Sequence, residues 1–239
     1  MDVVHLRVEK PVERNGFLRR AMAQKILTKK DVFDVFQAGL VRGTEVLPYS
    51  PKKRYFYVEH PEEGWRVYLR AGCFIHELYR PFRADRFIVV KRTDGDPLKA
   101  SWEPPKGQME GRDAKDKSKA VLQLLKDNVR REVEEEAKIA HIRELSHTGL
   151  VLQSVEPDFP PNTYFQYHVF SGYAHPNQLK RAFDDFAWIA EHPEEFKKFR
   201  PDQREKDAID WFSADKKMMG RWSPSLVNMY LEHLKSPLL

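Results

Sequence analysis

The sequence predicts an α/β fold in which helices cover a sheet, with a partly helical extension ahead of it. Three observations predict it. Short apolar runs bounded by turn residues read as strands, and amphipathic stretches of helical period lie between and after them. The first 65 or so residues carry a different pattern from the rest. A chain of 239 residues has room for one domain and an appendage. The expected boundaries are 1–65 for the N-terminal extension and 66–239 for the main domain.

In the extension, Val32, Phe33, Val35 and Phe36 fall at helical spacing behind Thr28, a fair N-cap, so a helix is predicted over Thr28–Phe36. After Pro48 and Pro51, the basic run Lys52-Lys53-Arg54 leads into Tyr55-Phe56-Tyr57. Neighbouring cations and rings can hold a nucleobase or a phosphate, and a half-buried strand gives the same pattern. Strands begin at Trp65: Val67-Tyr68-Leu69 runs on to Ala71–Ile75, and Phe87-Ile88-Val89-Val90 ends in Lys91-Arg92. The second run is continuously apolar, which marks a strand covered on both faces.

A turn-rich stretch, Thr93–Pro97, precedes Trp102-Glu103-Pro104-Pro105-Lys106-Gly107. Residues Asp116 to Ala137 form the best helix of the chain, with Val121, Leu122, Leu124, Leu125, Val129 and Val133 near helical intervals. Further strands are predicted at Thr148–Leu152, Tyr164–Phe170 and Ala208–Phe212. The loop Glu156–Asn162 separates the first two, and a polar helical region over 178–199 precedes the third. An amphipathic helix from Ser223 carries Leu226, Val227, Met229, Tyr230, Leu231 and Leu234. Strands and helices thus mix along the chain.

The charge balance is mild, 41 basic against 36 acidic side chains for a net +5, and suits an anionic ligand without demanding one. The single cysteine, Cys73, excludes an intramolecular disulfide and a thiolate metal cluster, and its apolar surroundings predict a core position. The N-terminus lacks the apolar region of a signal peptide, and no stretch reaches the ~20 apolar residues that span a bilayer. A soluble, cytoplasmic protein with no membrane partner is expected. His60, His76, His147 and His168 are scattered without metal-ligand spacing and read as core or surface residues, although the strand bearing His168 could line a cleft.

On the long helix, Glu132, Glu135 and Glu136 stand at i, i+3 and i+4, which puts three carboxylates on one face within about one turn. Carboxylates that close repel. Either they splay into water as an ordinary solvated run or a hard divalent ion gathers them. Arg130 and Arg131 adjoin the cluster and can hold one carboxylate in place. Upstream, Gly107 closes the Pro-Pro-Lys-Gly loop, where a residue without Cβ can adopt backbone angles closed to others.

These residues resemble the Nudix box, whose pattern is glycine, five residues, glutamate, seven residues, then Arg-Glu-apolar-x-Glu-Glu-x-Gly-apolar. Gly107 matches the first glycine, and Arg131, Glu132, Val133, Glu135, Glu136 and Ile139 match the second half. Two positions depart from it. Asp113 stands where the first glutamate is expected and is followed by about ten residues too many, and Lys138 replaces the second glycine. The resemblance covers roughly residues 70 to 215. It implies a Nudix-type α/β/α sandwich with a mixed sheet, and a pyrophosphohydrolase using Mg2+ or Mn2+. Glu132, Glu135, Glu136 and the carbonyl of Gly107 would be the metal ligands.

The resemblance also implies that Arg131 orients one of these carboxylates and that Glu135 or Glu205 is the base, Glu205 matching a further acid ahead of the strand bearing Trp211. Asp207 is the fallback for that acid, and a polar turn gives the same pattern. The Trp102–Gly107 segment resembles the loop of Nudix enzymes acting on dinucleoside polyphosphates and messenger RNA caps. It implies substrate contacts by Lys106, Trp102 and Arg92. The layout resembles in outline the mRNA-decapping Nudix enzymes of large DNA viruses, so a capped-RNA or nucleotide substrate is expected. Lys52–Tyr57, Tyr79-Arg80 and Arg83 could hold an RNA chain and stack a base, or equally form a strand and its solvated edge. A dinucleoside polyphosphate or a diphosphoinositol polyphosphate is the alternative substrate, and a catalytically silent nucleotide- or RNA-binding module is the alternative of another class.

Overall fold

The computed structural model describes residues 5–8, 25–27, 32–93, 101–113, 115–155, 159–220 and 222–235. In chain order, the elements are β1 (His5–Val8), β2 (Lys25–Leu27), β3 (Val41–Leu47), β4 (Ser50–Glu59), β5 (Arg66–Glu77), β6 (Ile88–Arg92), β7 (Trp102–Glu103) and β8 (Lys106–Gln108). There follow α1 (Val121–Ala137), β9 (Arg143–Val155), β10 (Thr163–Ala174), α2 (Pro176–Glu191), α3 (Pro193–Phe196), β11 (Lys206–Trp211) and α4 (Trp222–Lys235). The larger sheet runs β2-β1-β9-β10-β5-β4-β3, with β8 also pairing β5. It is mixed, since β1 is parallel to β9 and β10 to β5 while the remaining pairs are antiparallel. A second, antiparallel sheet runs β11-β6-β7.

The alternation of β5 sets the layers. Val67, Leu69, Ala71, Cys73 and Ile75 face the main core, which they share with Leu124, Leu125, Val129 and Val133 of α1 and with Leu179, Ala182 and Phe186 of α2. Phe74 points the other way, into a cluster with Leu226, Val227, Met229 and Tyr230 of α4. The Phe74 and Tyr230 rings stack at 3.8 Å. Strand β6 divides likewise, Ile88 and Val90 to one side and Phe87 and Val89 to the other. Helices on both faces give an α/β/α sandwich, and explain why the run Phe87–Val90 reads as unbroken and apolar. No helix among the described residues is long and apolar enough to cross a membrane.

The described part of residues 1–65 consists of strands and turns where the sequence predicts a partly helical segment. Of the helix expected over 28–36, residues 28–31 lie outside the described residues, and 32–36 form a bend and turns. Tertiary contacts override the periodicity there: Val35 is buried, and Phe33 stacks on Trp65 and meets Tyr164 edge-on. Lys52–Tyr57 lies in β4, which joins β3 to β5. Val35, Phe56, Val58 and Trp65 belong to the same core as Val67 and Leu69, so both sides of position 65 share one sheet and one core. Most of the turn at 93–97 and residues 156–158 of the loop at 156–162 also lie outside the described residues.

Three helical boundaries differ from the reading by period. Helix α1 starts at Val121, not Asp116, because Ala120 is extended and the Asp116 carboxylate accepts from the backbone N–H and hydroxyl of Ser118, closing a local turn. The region 178–199 holds two helices. Pro193 lacks the N–H that would continue α2, and His192 before it leaves the helical region at φ −127°. Helix α4 begins at Trp222, one residue ahead of expectation.

Candidate active site

Strand β8 lies beside α1, and the closeness of the two makes the site. A Cβ built at Gly107 would stand 1.9 Å from Cδ of Glu132, so only glycine lets the helix carboxylate settle against this strand. Glu110 and Asp113 close a tight turn after β8: the Glu110 N–H donates to Asp113 Oδ2 at 2.7 Å and the Asp113 N–H to the Glu110 carbonyl at 3.0 Å. The turn aims Asp113 at α1. Nε and Nη2 of Arg131 donate to its two carboxylate oxygens, each at 3.0 Å, a planar fork that fixes the guanidinium. The ten or so extra residues therefore leave this pair intact; residues 115–120 form the turns ahead of α1, and the helix runs ten residues before it reaches Arg131.

From that anchor Arg131 reaches Glu132 at 2.7 Å and Glu135 at 2.8 Å, so one guanidinium serves three carboxylates. Burial pushes the Glu132 carboxyl up to about 8 against the pull of Arg131, and the charges of Glu136, Glu135 and Asp113 add to the rise. Glu135 is more open, with Arg112 standing 3.9 Å away. Lys138 takes the left-handed conformation at the end of α1, φ 58°, that a glycine would favour. Its ammonium donates to the carbonyls of Glu135 at 2.7 Å and Gln203 at 3.1 Å, so the helix exit survives the replacement.

Glu136 belongs to a different set of partners. Its Oε1 meets Lys206 Nζ at 2.8 Å, and its Oε2 accepts the Lys106 backbone N–H at 2.8 Å. Lys206 also pairs with Glu103, whose other oxygen takes Lys106 Nζ at 2.7 Å. Glu103, Glu136 and Lys206 are 1%, 5% and 4% exposed, so removing one partner of this network would strand a buried charge at a cost of about 3–5 kcal/mol. Burial opposes ionisation of Glu103, but Lys106 and Lys206 outweigh it and hold the carboxyl below its usual range. Glu136 and Glu103 likewise overcome burial and raise Lys206, which stays charged. Burial pushes Glu136 up against the pull of Lys206. Both of its oxygens accept hydrogen bonds, the pattern of the ionised form.

Gly107, Lys106, Arg92, Arg131, Glu132, Glu135, Glu136 and Glu205 all line one open cleft of about 950 Å³. Glu205 sits exposed at its rim, and Asp207 lines it while paired with Lys91 at 3.2 Å. Lys53 and Tyr55 of β4 form part of the wall. Trp102 is not among the lining residues. Its ring packs on the α4 side of the sandwich with Lys216 Nζ 5.3 Å above it, because the side chains of neighbouring strand residues alternate and Glu103 takes the inward position. Tyr79, Arg80 and Arg83 also lie off the cleft, the two arginines paired with Glu77 and Asp85. His168 is not a lining residue either, and pairs with His147 at 3.0 Å.

The network of Glu103 and Lys206 is what sequence reasoning misses. Plain alternation back from Ile209 turns Asp207 and Glu205 inward, but β11 carries a register shift between Lys206 and Ala208, where the ladder with β6 passes over position 207, and Lys206 is brought inside. A polar turn before a strand carries no signal of such a bulge.

Among the described residues no group of three or more His, Cys, Asp or Glu side chains is arranged to hold an ion. The donor set nevertheless suits a hard divalent cation on one side of the cleft. Glu132 and Glu135 present oxygens on adjacent turns, and a cation there would offset the burial and the neighbouring negative charges that raise Glu132. Glu136 is already supplied by Lys206.

No family model matches the sequence, and no curated protein does. Solved structures that align with it include an Ap4A hydrolase binary complex from C. elegans, with 18% identity over 71% of this chain and 98% of that one, TM-score 0.36. Another is a bifunctional NMN adenylyltransferase/ADP ribose pyrophosphatase from Francisella tularensis, complexed with AMP and a Mn ion, with 14% identity over 70% of this chain and 41% of that one, TM-score 0.36. A third is a mutT/nudix family protein from Listeria innocua, with 16% identity over 70% and 92%, TM-score 0.37.

Proposed function

We propose that this chain is a Nudix-type, divalent-cation-dependent hydrolase of a phosphoanhydride in a nucleotide-linked substrate, the messenger RNA 5′ cap being the favoured one. The observation that carries the reading is the constellation of Asp113, Arg131, Glu132 and Glu135 packed against Gly107 at one open cleft. Magnesium or manganese, when bound, would neutralise phosphate oxygens and lower the pKa of an attacking water. The side chains divide the remaining tasks. Asp113 fixes Arg131, and Arg131 sets the orientation of Glu132 and Glu135. Glu135, the more exposed of the two, is placed to accept the proton of the attacking water, with Glu205 at the rim as the other candidate base.

The cleft wall supports an anionic substrate, since Lys53, Lys91, Arg92, Arg112, Lys197 and Arg204 all line it. Tyr55 beside Lys53 favours RNA, offering a ring next to a cation. The same six cations against few rings also suit a dinucleoside polyphosphate or a diphosphoinositol polyphosphate, which is the second reading. The test is product analysis, with and without magnesium, on capped RNA, diadenosine tetraphosphate and a diphosphoinositol polyphosphate, with Glu135→Gln as control. Release of methylated guanosine diphosphate from capped RNA, lost in Glu135→Gln, is the expected result. Cleavage of a small molecule alone overturns the RNA reading. Salt-sensitive RNA binding without magnesium-dependent turnover would make the chain a binding module instead.

A further inference from the structure

Lys206 is a buried charge of the cleft to which the hydrolase reading gives no task. It is 4% exposed, turned inward by the bulge in β11, and set between two carboxylates that are themselves buried. All four carboxylate oxygens around it are engaged. Glu103 takes Lys206 on one oxygen and Lys106 and the Ser223 hydroxyl on the other, while Glu136 takes Lys206 on one and the Lys106 N–H on the other. Two ammonium groups meet two carboxylates, so this half of the cleft is charge-neutral and satisfied.

The other half is not. Asp113, Glu132 and Glu135 share the single guanidinium of Arg131, with Arg112 only at 3.9 Å from Glu135. A hard divalent cation seeks uncompensated oxygen charge, and on this helix that charge lies on the Glu132 and Glu135 side. Drawing Glu136 into the coordination sphere would detach it from Lys206 and leave a buried ammonium short of a partner.

We propose that Lys206 is the positioning residue of the cleft: it holds Glu136, with Glu103 and Lys106, in a closed ion network, so that the cation is held from the Glu132 and Glu135 side and Glu136 is not among its ligands. The inference rests on the hydrolase reading, and departs from the three-glutamate ligand set that the box resemblance implies.

Mn2+ binding to the full-length protein, followed by electron paramagnetic resonance, tests it without reference to turnover. In Glu132→Gln the affinity should fall by about tenfold or more, whereas in Glu136→Gln it should stay within about threefold of wild type. Lys206→Met frees Glu136 and Glu103 and should tighten Mn2+ binding. The double variant Glu136→Gln/Lys206→Met removes one charge of each sign, and serves if the single lysine variant does not fold. Its affinity should also stay within about threefold of wild type. An affinity loss in Glu136→Gln or in the double variant as large as in Glu132→Gln overturns the inference and leaves the hydrolase reading standing. Absence of Mn2+ binding in the wild-type protein overturns the cation-dependent reading itself.

Discussion

At the scale of single residues, the site depends on what is missing at position 107. Glycine there admits the Glu132 carboxylate into space that a methyl group would fill. Gly107→Ala should therefore displace the carboxylate and leave the fold standing, because the clash falls on the end of a flexible side chain rather than on backbone. We expect hydrolysis to fall by about 100-fold, as a displacement of order 1 Å at a reacting group does, with a melting temperature close to wild type. A variant that keeps its turnover would show that Glu132 needs no close approach to β8. Residues of this kind were legible in the sequence: Gly107, Arg131 and the three glutamates were read by type and spacing. Glu103 and Lys206 were not, since nothing local distinguishes a buried ion pair from a polar turn.

Among the elements, α1 shows how a departure from pattern is absorbed. Its exit places Lys138 in the left-handed region, which costs a residue with a Cβ about 1–2 kcal/mol. The lysine offsets this by donating to the carbonyls of Glu135 and Gln203, each bond contributing about 0.5–1.5 kcal/mol. Lys138→Ala keeps the strain and loses both bonds, so urea unfolding should show a loss of about 1–3 kcal/mol. Lys138→Gly loses the bonds and the strain together, and should stay within about 1 kcal/mol of wild type. Equal stability of the alanine variant and wild type would mean that the two bonds contribute nothing. The helix was legible by its period, but its first turn was not. The Asp116–Ser118 turn is made of residues that a helical wheel accepts without protest.

For the molecule as a whole, the sheet joins what the sequence divides. Strands β3 and β4 fall before position 65 and β5 after it, yet β4 pairs directly with β5 and their apolar faces enter one core. Unfolding in urea should accordingly be a single transition, with tryptophan fluorescence and far-ultraviolet circular dichroism superimposing. Phe56→Ala, at a position 1% exposed, should shift both signals together by about 3–5 kcal/mol. Two separate transitions would show that residues 32–65 fold independently of the rest. The change of pattern near 65 is real in the sequence, but composition reports what a segment is made of, not what it packs against.

The sequence by itself determined most strands and helices of the main domain, the covering of the Phe87–Val90 strand on both faces, and the acidic face of α1 behind a glycine. Each of these is a local property, set by period, residue size or backbone freedom over a few positions. Only the tertiary structure decided the pairing of charges: that Asp113 forks onto Arg131 across the enlarged box, and that Glu136 turns to Lys206 instead of standing with Glu132 and Glu135. Lys206 and Glu103 are 103 residues apart. Their meeting depends on a bulge in one strand and the alternation of another, and no spacing within the chain encodes the sum of the two.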